Sequence, residues 1–267
     1  MNDPNKDWER YGRNDPYFGV VSLERFHKFN LTPAALREFF DSGRHHVDYV
    51  LRTIRTHIDA AYQPQVALDF GCGVGRCTIP IASVCKHVTG VDVSNAMIEE
   101  AKRNALAQSV QNVAWVVSGD LAKVRGGFDF IHSFIVFQHI PRPVGMVLLS
   151  RLIDLLTTDG IASIQFMYQR NASRLTRAFG RVRTTIPLVH NLANLYYRKP
   201  LTYPLMQKNV YDLNAVFDLL QKKGCGSSVT RFGATHEQQA AMVFFRKRPD
   251  AIPYFEFYNE DTTAPRI

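Results

Sequence analysis

Two carboxylates and three glycines have the types and spacing to do chemistry. The stretch "ALDFGCGVGR" (67–76) puts Asp69 two residues ahead of Gly71, with Gly73 and Gly75 at every second position after it. Asp92 follows Gly71 by twenty-one residues, at the end of "HVTGVD". Glycine is costly to order and is used where the backbone turns sharply or lets a ligand come close. An acid about 20 residues beyond such a turn is placed to hold the hydroxyl pair of a ribose. A nicotinamide dinucleotide is the first ligand to weigh, but its fingerprint is G-x-G-x-x-G, whereas this loop reads G-x-G-x-G. Asp69 would also repel a diphosphate and attract an ammonium group. The residues therefore point to a ligand with a ribose and a cationic amino acid end.

A glycine turn of this kind needs a strand before it and a helix after it. The sequence supplies that rhythm repeatedly. "QVALDF" (65–70), "HVTGVDV" (87–93), "NVAWVVSGD" (112–120), the start of "FDFIHSFIVF" (128–137) and "GIASIQFMY" (160–168) read as strands. Residues 74–86, 95–107 and 143–157 read as the helices between them. Near-continuous apolar strands alternating with amphipathic helices indicate a parallel sheet covered on both faces, with ligands at the carboxyl ends of its strands. A further helix carries Val210, Leu213, Val216, Phe217 and Leu220 on one face. "GSSVTRF" and "AAMVFFRKR" then form a hairpin with a seven-residue loop. Upstream, residues 1–32 lack a clear period and read as an irregular arm. The span 31–60 reads as two helices, with Pro33 in the first turn and Ser42-Gly43 dividing them.

Taken together, these segments resemble the class I S-adenosylmethionine-dependent methyltransferases. "LDFGCGVGR" is similar to their first motif, "VTGVDVSNAMIEEAKRNA" to the strand and helix after it, and "VSGDL" to the motif flanking adenine. "FDFIHSFIVFQHIP" and "LTTDGIASIQF" match the fourth and fifth strands, with Asp159-Gly160 in place of the more usual Pro-Gly. The resemblance covers 65–168 and extends to the final hairpin. It implies an α/β fold with a seven-stranded, mostly parallel, doubly wound sheet. To this are added N-terminal helices and a helical lid inserted after the fifth strand. The expected division is an arm and capping helices over 1–62, a cofactor-binding core over 63–168 and a basic lid over 169–209. The last helix and hairpin occupy 210–248, and a tail 249–267. The implied cofactor is S-adenosyl-L-methionine. Asp69 and the backbone at Gly71, Gly73 and Gly75 would hold its methionine end, and Asp92 its ribose. Val93, Ser94 and Met97 would lie beside the adenosine. Asp120 would meet the adenine amino group, Leu121 would pack on the ring, and Ser133 and Phe134 would lie near the cofactor.

The residues just after the fourth strand bear on the methyl acceptor. His139, in "FQHIPRP", is the expected general base, because histidine titrates near operating pH. Base-amino methylation commonly uses an Asn/Asp-Pro-Pro-aromatic signature, and here the chain reads Ser133-Phe134-Ile135-Val136. Base-carbon methylation through a covalent adduct needs a cysteine in this region, and none lies between Cys85 and Cys225. The leading expectation is O-methylation of a small molecule or a glycan. An RNA-directed methyltransferase and a non-catalytic cofactor-binding protein are the alternatives.

Charge placement bears on the acceptor as well. From Gly160 to Tyr211 there is no acid, yet the window holds Arg170, Arg174, Arg177, Arg181, Arg183, Arg198, Lys199 and Lys208, as many cations as the whole net charge of +8. Arg170, Arg174, Arg177 and Arg181 recur at helical spacing. With Tyr196 and Tyr197 nearby, Arg170, Arg174 and Arg177 are candidate contacts to an anionic acceptor such as a sugar phosphate or polysaccharide, and a solvated basic face is the plainer reading. RNA and a membrane surface could meet the same features, but no recognisable nucleic-acid-binding module accompanies them. The histidines at 27, 57, 87, 132, 190 and 236 show no metal-ligand spacing, and His45-His46 point to different sides of a helix, so no metal is expected. Four cysteines without a C-x-x-C pair, a polar start and no long apolar run suggest a reduced, cytoplasmic protein with no membrane span. A homo-oligomer is compatible with the sequence.

Overall fold

A computed structural model describes residues 4–171, 189, 192, 195–196, 203–235 and 237–248. Its sheet is formed by β1 (Val66–Phe70), β2 (His87–Asp92), β3 (Val113–Val117), β4 (Phe128–Ser133), β5 (Leu156–Arg170), β6 (Ser227–Ala234) and β7 (Gln238–Arg246). The spatial order is β3-β2-β1-β4-β5-β7-β6. The first five strands run parallel, and β7 is antiparallel to both β5 and β6. The order reverses at β1, so the crevice beyond the carboxyl ends of β1 and its neighbours is where such a sheet binds ligands.

Alternation along the strands divides the core into two layers. Leu68, Ile131, Val243 and Phe245 pack with Leu148, Leu149 and Leu152 of α6 (Arg142–Leu155) and Val216 and Leu220 of α7 (Leu213–Lys222). The residues next to them in sequence, Ala67, Phe130, Met242 and Phe244, pack on the other layer, with Val47, Val50, Leu51 and Ile54 of α3 (Pro33–His57). Burying each large side chain of these sets contributes about 1.5–3 kcal/mol. A third cluster joins the N-terminal helices α1 (Pro4–Asn14) and α2 (Pro16–Val20) to α3 and to α5 (Asn95–Ala107). Tyr11, Tyr17, Phe39, Val74 and Met97 are among its buried members.

Four local expectations are corrected. The arm is helical, with Trp8 and Tyr11 a helical step of three apart on α1 and packed together at 5.5 Å. The expected pair of helices over 31–60 is one helix of 25 residues, capped by the Thr32 hydroxyl, which accepts from the Ala35 N–H. Gly43 does not divide it. It lets α3 press against the backbone of Arg76, whose carbonyl a Cβ at 43 would overlap. The helix expected over 74–86 shrinks to α4 (Thr78–Ala82), because the glycine turn occupies its first residues. The hairpin strands approach each other more closely than expected, reaching Ala234 on one side and Gln238 on the other. Most of the expected lid, 169–209, lies outside the described residues, as does the tail after Arg248.

Candidate functional site

The glycine turn is built from left-handed backbone. Gly71, Gly73 and Gly75 have φ of 75°, 52° and 87°, which side chains other than glycine's rarely tolerate. The N–H groups of Gly71 and Cys72 both donate to the Val91 carbonyl, at 2.7 and 3.0 Å, tying the turn to β2. A Cβ on Gly71 would overlap the Val136 side chain, and one on Gly73 would lie 2.6 Å from Val20 Cγ2. Both glycines therefore keep a narrow space open.

Asp92 braces that turn from the end of β2. Its Oδ2 accepts from the Gly73 N–H at 2.9 Å and its Oδ1 from the Ser94 N–H at 2.9 Å. Burial pushes its carboxyl up to about 6, against the pull of the N–H groups of Ser94, Gly73 and Val93. Each carboxylate oxygen retains acceptor capacity beyond these bonds. Asp92 is thus a fixed, paired acceptor suited to two vicinal hydroxyls.

These residues border a cavity of about 310 Å³. Gly71 and Gly73 line it with Asp92, Val93 and Met97 from the β2 side and Ser118 and Gly119 after β3. Phe134, Ile135, Val136, His139, Ile140 and Pro141 line it after β4, and Val144 and Leu148 from α6. The arm closes it with Asn5, Trp8, Gly19 and Val20. Asp92 and His139 are the ionisable groups among these lining residues, and no lysine or arginine is among them.

His139 sits on a single 3-10 turn, Phe137–His139, just beyond β4. Its Nδ1 lies 2.7 Å from the Gln207 carbonyl, which can only accept, so Nδ1 carries the proton. Nε2 therefore presents a lone pair, met by the Gln138 amide at 3.0 Å. The Trp8 ring lies edge-on at 5.0 Å. Burial lowers the His139 pKa to about 4, with the Gln207 carbonyl opposing and Lys208 assisting. The ring is neutral at pH 7 and held in one tautomer.

The fold brings together Gly71, Gly73, Asp92, Val93, Met97, Phe134 and His139. It places the other expected site residues elsewhere. Asp69 is 2% exposed and does not line the cavity. Its oxygens accept from Thr78 Oγ1 at 2.6 Å and His132 Nδ1 at 2.8 Å, so they are committed to the interior. Gly75 packs against Ile79 and Trp115. Ser94 caps α5, its hydroxyl accepting from the Met97 N–H and donating to Glu9. Asp120 is exposed and accepts from Ser118 Oγ and the Ala122 N–H, and Leu121 is buried in the core. Ser133 donates to the Phe70 carbonyl. Arg170 ends β5 opposite Gln238, and Tyr196 is exposed. Arg174, Arg177 and Tyr197 lie outside the described residues.

The sequence reading missed the arm's part of the wall and also Ile135. Ile135 lines the cavity at φ 64°, a strained value for a β-branched residue, with its N–H donating to Gln165 Oε1 at 2.9 Å. Such strain costs about 1–3 kcal/mol and clusters at functional sites. Glu9 is the arm's main polar anchor, accepting from Ser94 Oγ at 2.8 Å and the Ala96 N–H at 3.1 Å. The helical spacing of Trp8 and Tyr11 is the one local signal for this wall, and nothing near it in sequence says what the arm covers.

Comparison with known proteins agrees with this geometry. Residues 67–160 match the family described as a methyltransferase domain. Magnesium-protoporphyrin O-methyltransferase of Synechocystis sp. is 33% identical over 88 residues, covering 33% of this chain and 38% of that protein. The 23S rRNA (uracil(1939)-C(5))-methyltransferase RlmD of Vesicomyosocius okutanii is 40% identical over 63 residues, covering 24% of this chain and 14% of that one. The chain thus spans well under half the length of these relatives. The crystal structure of magnesium protoporphyrin IX methyltransferase from Synechocystis PCC 6803 with bound SAH superposes with a TM-score of 0.60. That likeness covers 92% of this chain and 100% of the other at 18% identity, and it shows the fold. No helix among the described residues is long and apolar enough to cross a membrane. The seven-stranded sheet, with its glycine turn and the acid at the end of β2, thus has the Rossmann-like methyltransferase fold, and residues 67–160 within it match a methyltransferase domain.

Proposed function

We propose that the chain is an S-adenosylmethionine-dependent methyltransferase that methylates a hydroxyl group on an apolar small molecule. The observation that carries this reading is one cavity with two kinds of lining. It combines the glycine turn and the doubly braced Asp92 with apolar side chains and His139. The residues present fit the cofactor: two left-handed glycines keep the space open, and Asp92 accepts the ribose hydroxyls. Val93 and Met97 flank the adenosine, with Ser118 and Gly119 beside them. When bound there, the cofactor supplies an electrophilic methyl group on a sulfonium.

The protein's own contribution is alignment, exclusion of water and management of one proton. Trp8, Val136, Ile140, Val144 and Leu148 orient an apolar acceptor and keep water out. His139 Nε2 accepts the hydroxyl proton in exchange for its bond from Gln138. The low pKa of His139 keeps that nitrogen unprotonated at neutral pH. The absence of lysine and arginine from the described lining weighs against a strongly anionic acceptor at the reacting centre. A uracil-C5 acceptor is disfavoured as well, because all four cysteines are buried and none lines the cavity. The similarity to an O-methyltransferase supports oxygen as the acceptor atom.

Methyl transfer from labelled donor to a panel of hydroxylated aromatics, sugar phosphates and ribosomal RNA tests the proposal. Label is expected in the hydroxylated aromatics. Label confined to RNA, or to the anionic sugars, would refute this acceptor class.

A further inference from the structure

Beside Phe134, three residues remote in sequence meet. His46 comes from α3, Cys77 precedes α4, and His132 lies on β4. We infer that His46, Cys77 and His132 form a site for one divalent transition-metal ion of the zinc class.

The two imidazoles face each other through Nε2, at 3.0 Å. Two nitrogens on one tetrahedral zinc, each bound at about 2.0–2.1 Å, lie roughly 3.3 Å apart, close to the spacing of this pair. Cys77 Sγ completes the set, all three ligand atoms lying within 4.8 Å of one another. His132 has the support that metal-bound histidines need. Its Nδ1–H donates to Asp69 Oδ1 at 2.8 Å, which fixes Nε2 as the ligand nitrogen, and Asp69 is held in turn by Thr78 at 2.6 Å. This gives Asp69 a role other than contact with the cavity. His46 is stacked on Phe134 at 3.7 Å, which fixes its ring plane.

Two negative groups can face the ion at this position. Binding would convert the buried Cys77 thiol to thiolate with release of its proton. Thiolate and Asp69 carboxylate together then match the two positive charges of the ion. Burial opposes that ionisation, and the Arg76 guanidinium, over the Phe134 ring at 5.4 Å, offsets part of the cost. No fourth His, Cys, Asp or Glu joins the group among the described residues, so a water or another small donor takes the remaining position. A second cavity of about 330 Å³ is lined by His46 of this group, with Tyr49, Phe134 and Gln165. Three protein ligands with one open position is the zinc arrangement found where the metal also does chemistry.

The test is metal binding by the purified full chain. Titration with Zn²⁺ against a competing chelator is expected to give one equivalent per chain. Co²⁺ is expected to give tetrahedral d–d bands with a sulfur-to-cobalt charge-transfer band. Cys77→Ser should abolish the charge-transfer band, and His46→Ala should weaken Zn²⁺ binding at least a hundredfold. Asp69→Asn should weaken it by about 10–100-fold, through loss of support to His132. His87→Ala, an exposed histidine outside the group, should leave it unchanged. A wild-type chain that takes up no stoichiometric metal, or a Co²⁺ spectrum without the sulfur band, overturns the site and leaves a hydrogen-bonded histidine pair. These two readings need only the wild-type protein, so they stand even where a variant fails to fold.

Discussion

The two walls of the cavity are built in different ways. The sheet-end wall is local: Gly73 and Ser94 donate to Asp92 and Gly71 donates to the Val91 carbonyl across two adjacent strand ends, with left-handed backbone at its centre. The arm wall comes from some sixty residues earlier and is anchored by side chains of the arm. Glu9 bonds to Ser94 and Ala96, Tyr17 to Glu100 and Asn104, and Tyr11 to the Pro204 carbonyl. A wall of backbone geometry is rigid and specific to one ligand shape. A wall of docked side chains can change its contacts without changing the turn beneath it, which suits the acceptor side of a reaction whose donor is constant.

The largest expected effect separates chemistry from binding across the two walls. His139→Ala should lower kcat about a hundredfold with donor affinity nearly unchanged. Trp8→Ala, on the arm, should instead raise the acceptor KM and spare kcat. Steady-state kinetics on a confirmed acceptor reads both, and equal losses of kcat would erase the distinction. Next comes Gly73→Ala, whose Cβ meets both a left-handed φ and the Val20 side chain from the arm. We expect about 2–3 kcal/mol of destabilisation by denaturant unfolding, with about 1–2 kcal/mol remaining when Val20→Ala removes the clash, the cost of the backbone alone. Full rescue by Val20→Ala would mean that the arm, not the backbone, requires glycine there.

A third effect is set by pH. The Asp92 carboxyl sits near 6, so protonation begins to remove its acceptor capacity below that pH. Donor affinity should fall as pH falls, by about tenfold at pH 5 relative to pH 8, since about a tenth of the groups are then ionised. Binding that is flat over this range would place the ribose elsewhere. The smallest expected effect is on the arm's anchor. Glu9→Ala should cost about 1 kcal/mol, comparable to losing a helix cap, because it removes the acceptor for Ser94 and Ala96 at the start of α5. Thermal unfolding measures it, and a loss several times larger would make the arm part of the folding core.

How much was legible in the sequence divides along the same line. Strand–helix alternation, the glycine turn and Asp92 could be read directly, because turn chemistry and periodicity act over a few residues. Asp69 faces the interior because its partners, Thr78 and His132, are chosen by packing, and nothing near it in sequence names them. Gly43 looked like a helix break because composition cannot tell a flexible glycine from one that a neighbouring carbonyl requires. The His46–His132 contact was invisible for a related reason. Eighty-six residues separate them, and no spacing rule spans that distance. Asp120 and Leu121 show that a motif can be recognised while its side chains point elsewhere. The neighbouring Ser118 and Gly119 line the cavity instead.

The most direct test of the cavity's assignment is calorimetric titration of S-adenosylhomocysteine into the wild-type chain and into Asp92→Ala. Two charge-assisted hydrogen bonds, worth about 1.5–3 kcal/mol each, are lost in the variant. One site per chain is expected, with affinity at least a hundredfold weaker in Asp92→Ala and unchanged circular dichroism. Equal affinity in the two proteins, or no binding to the wild type, would contradict the assignment.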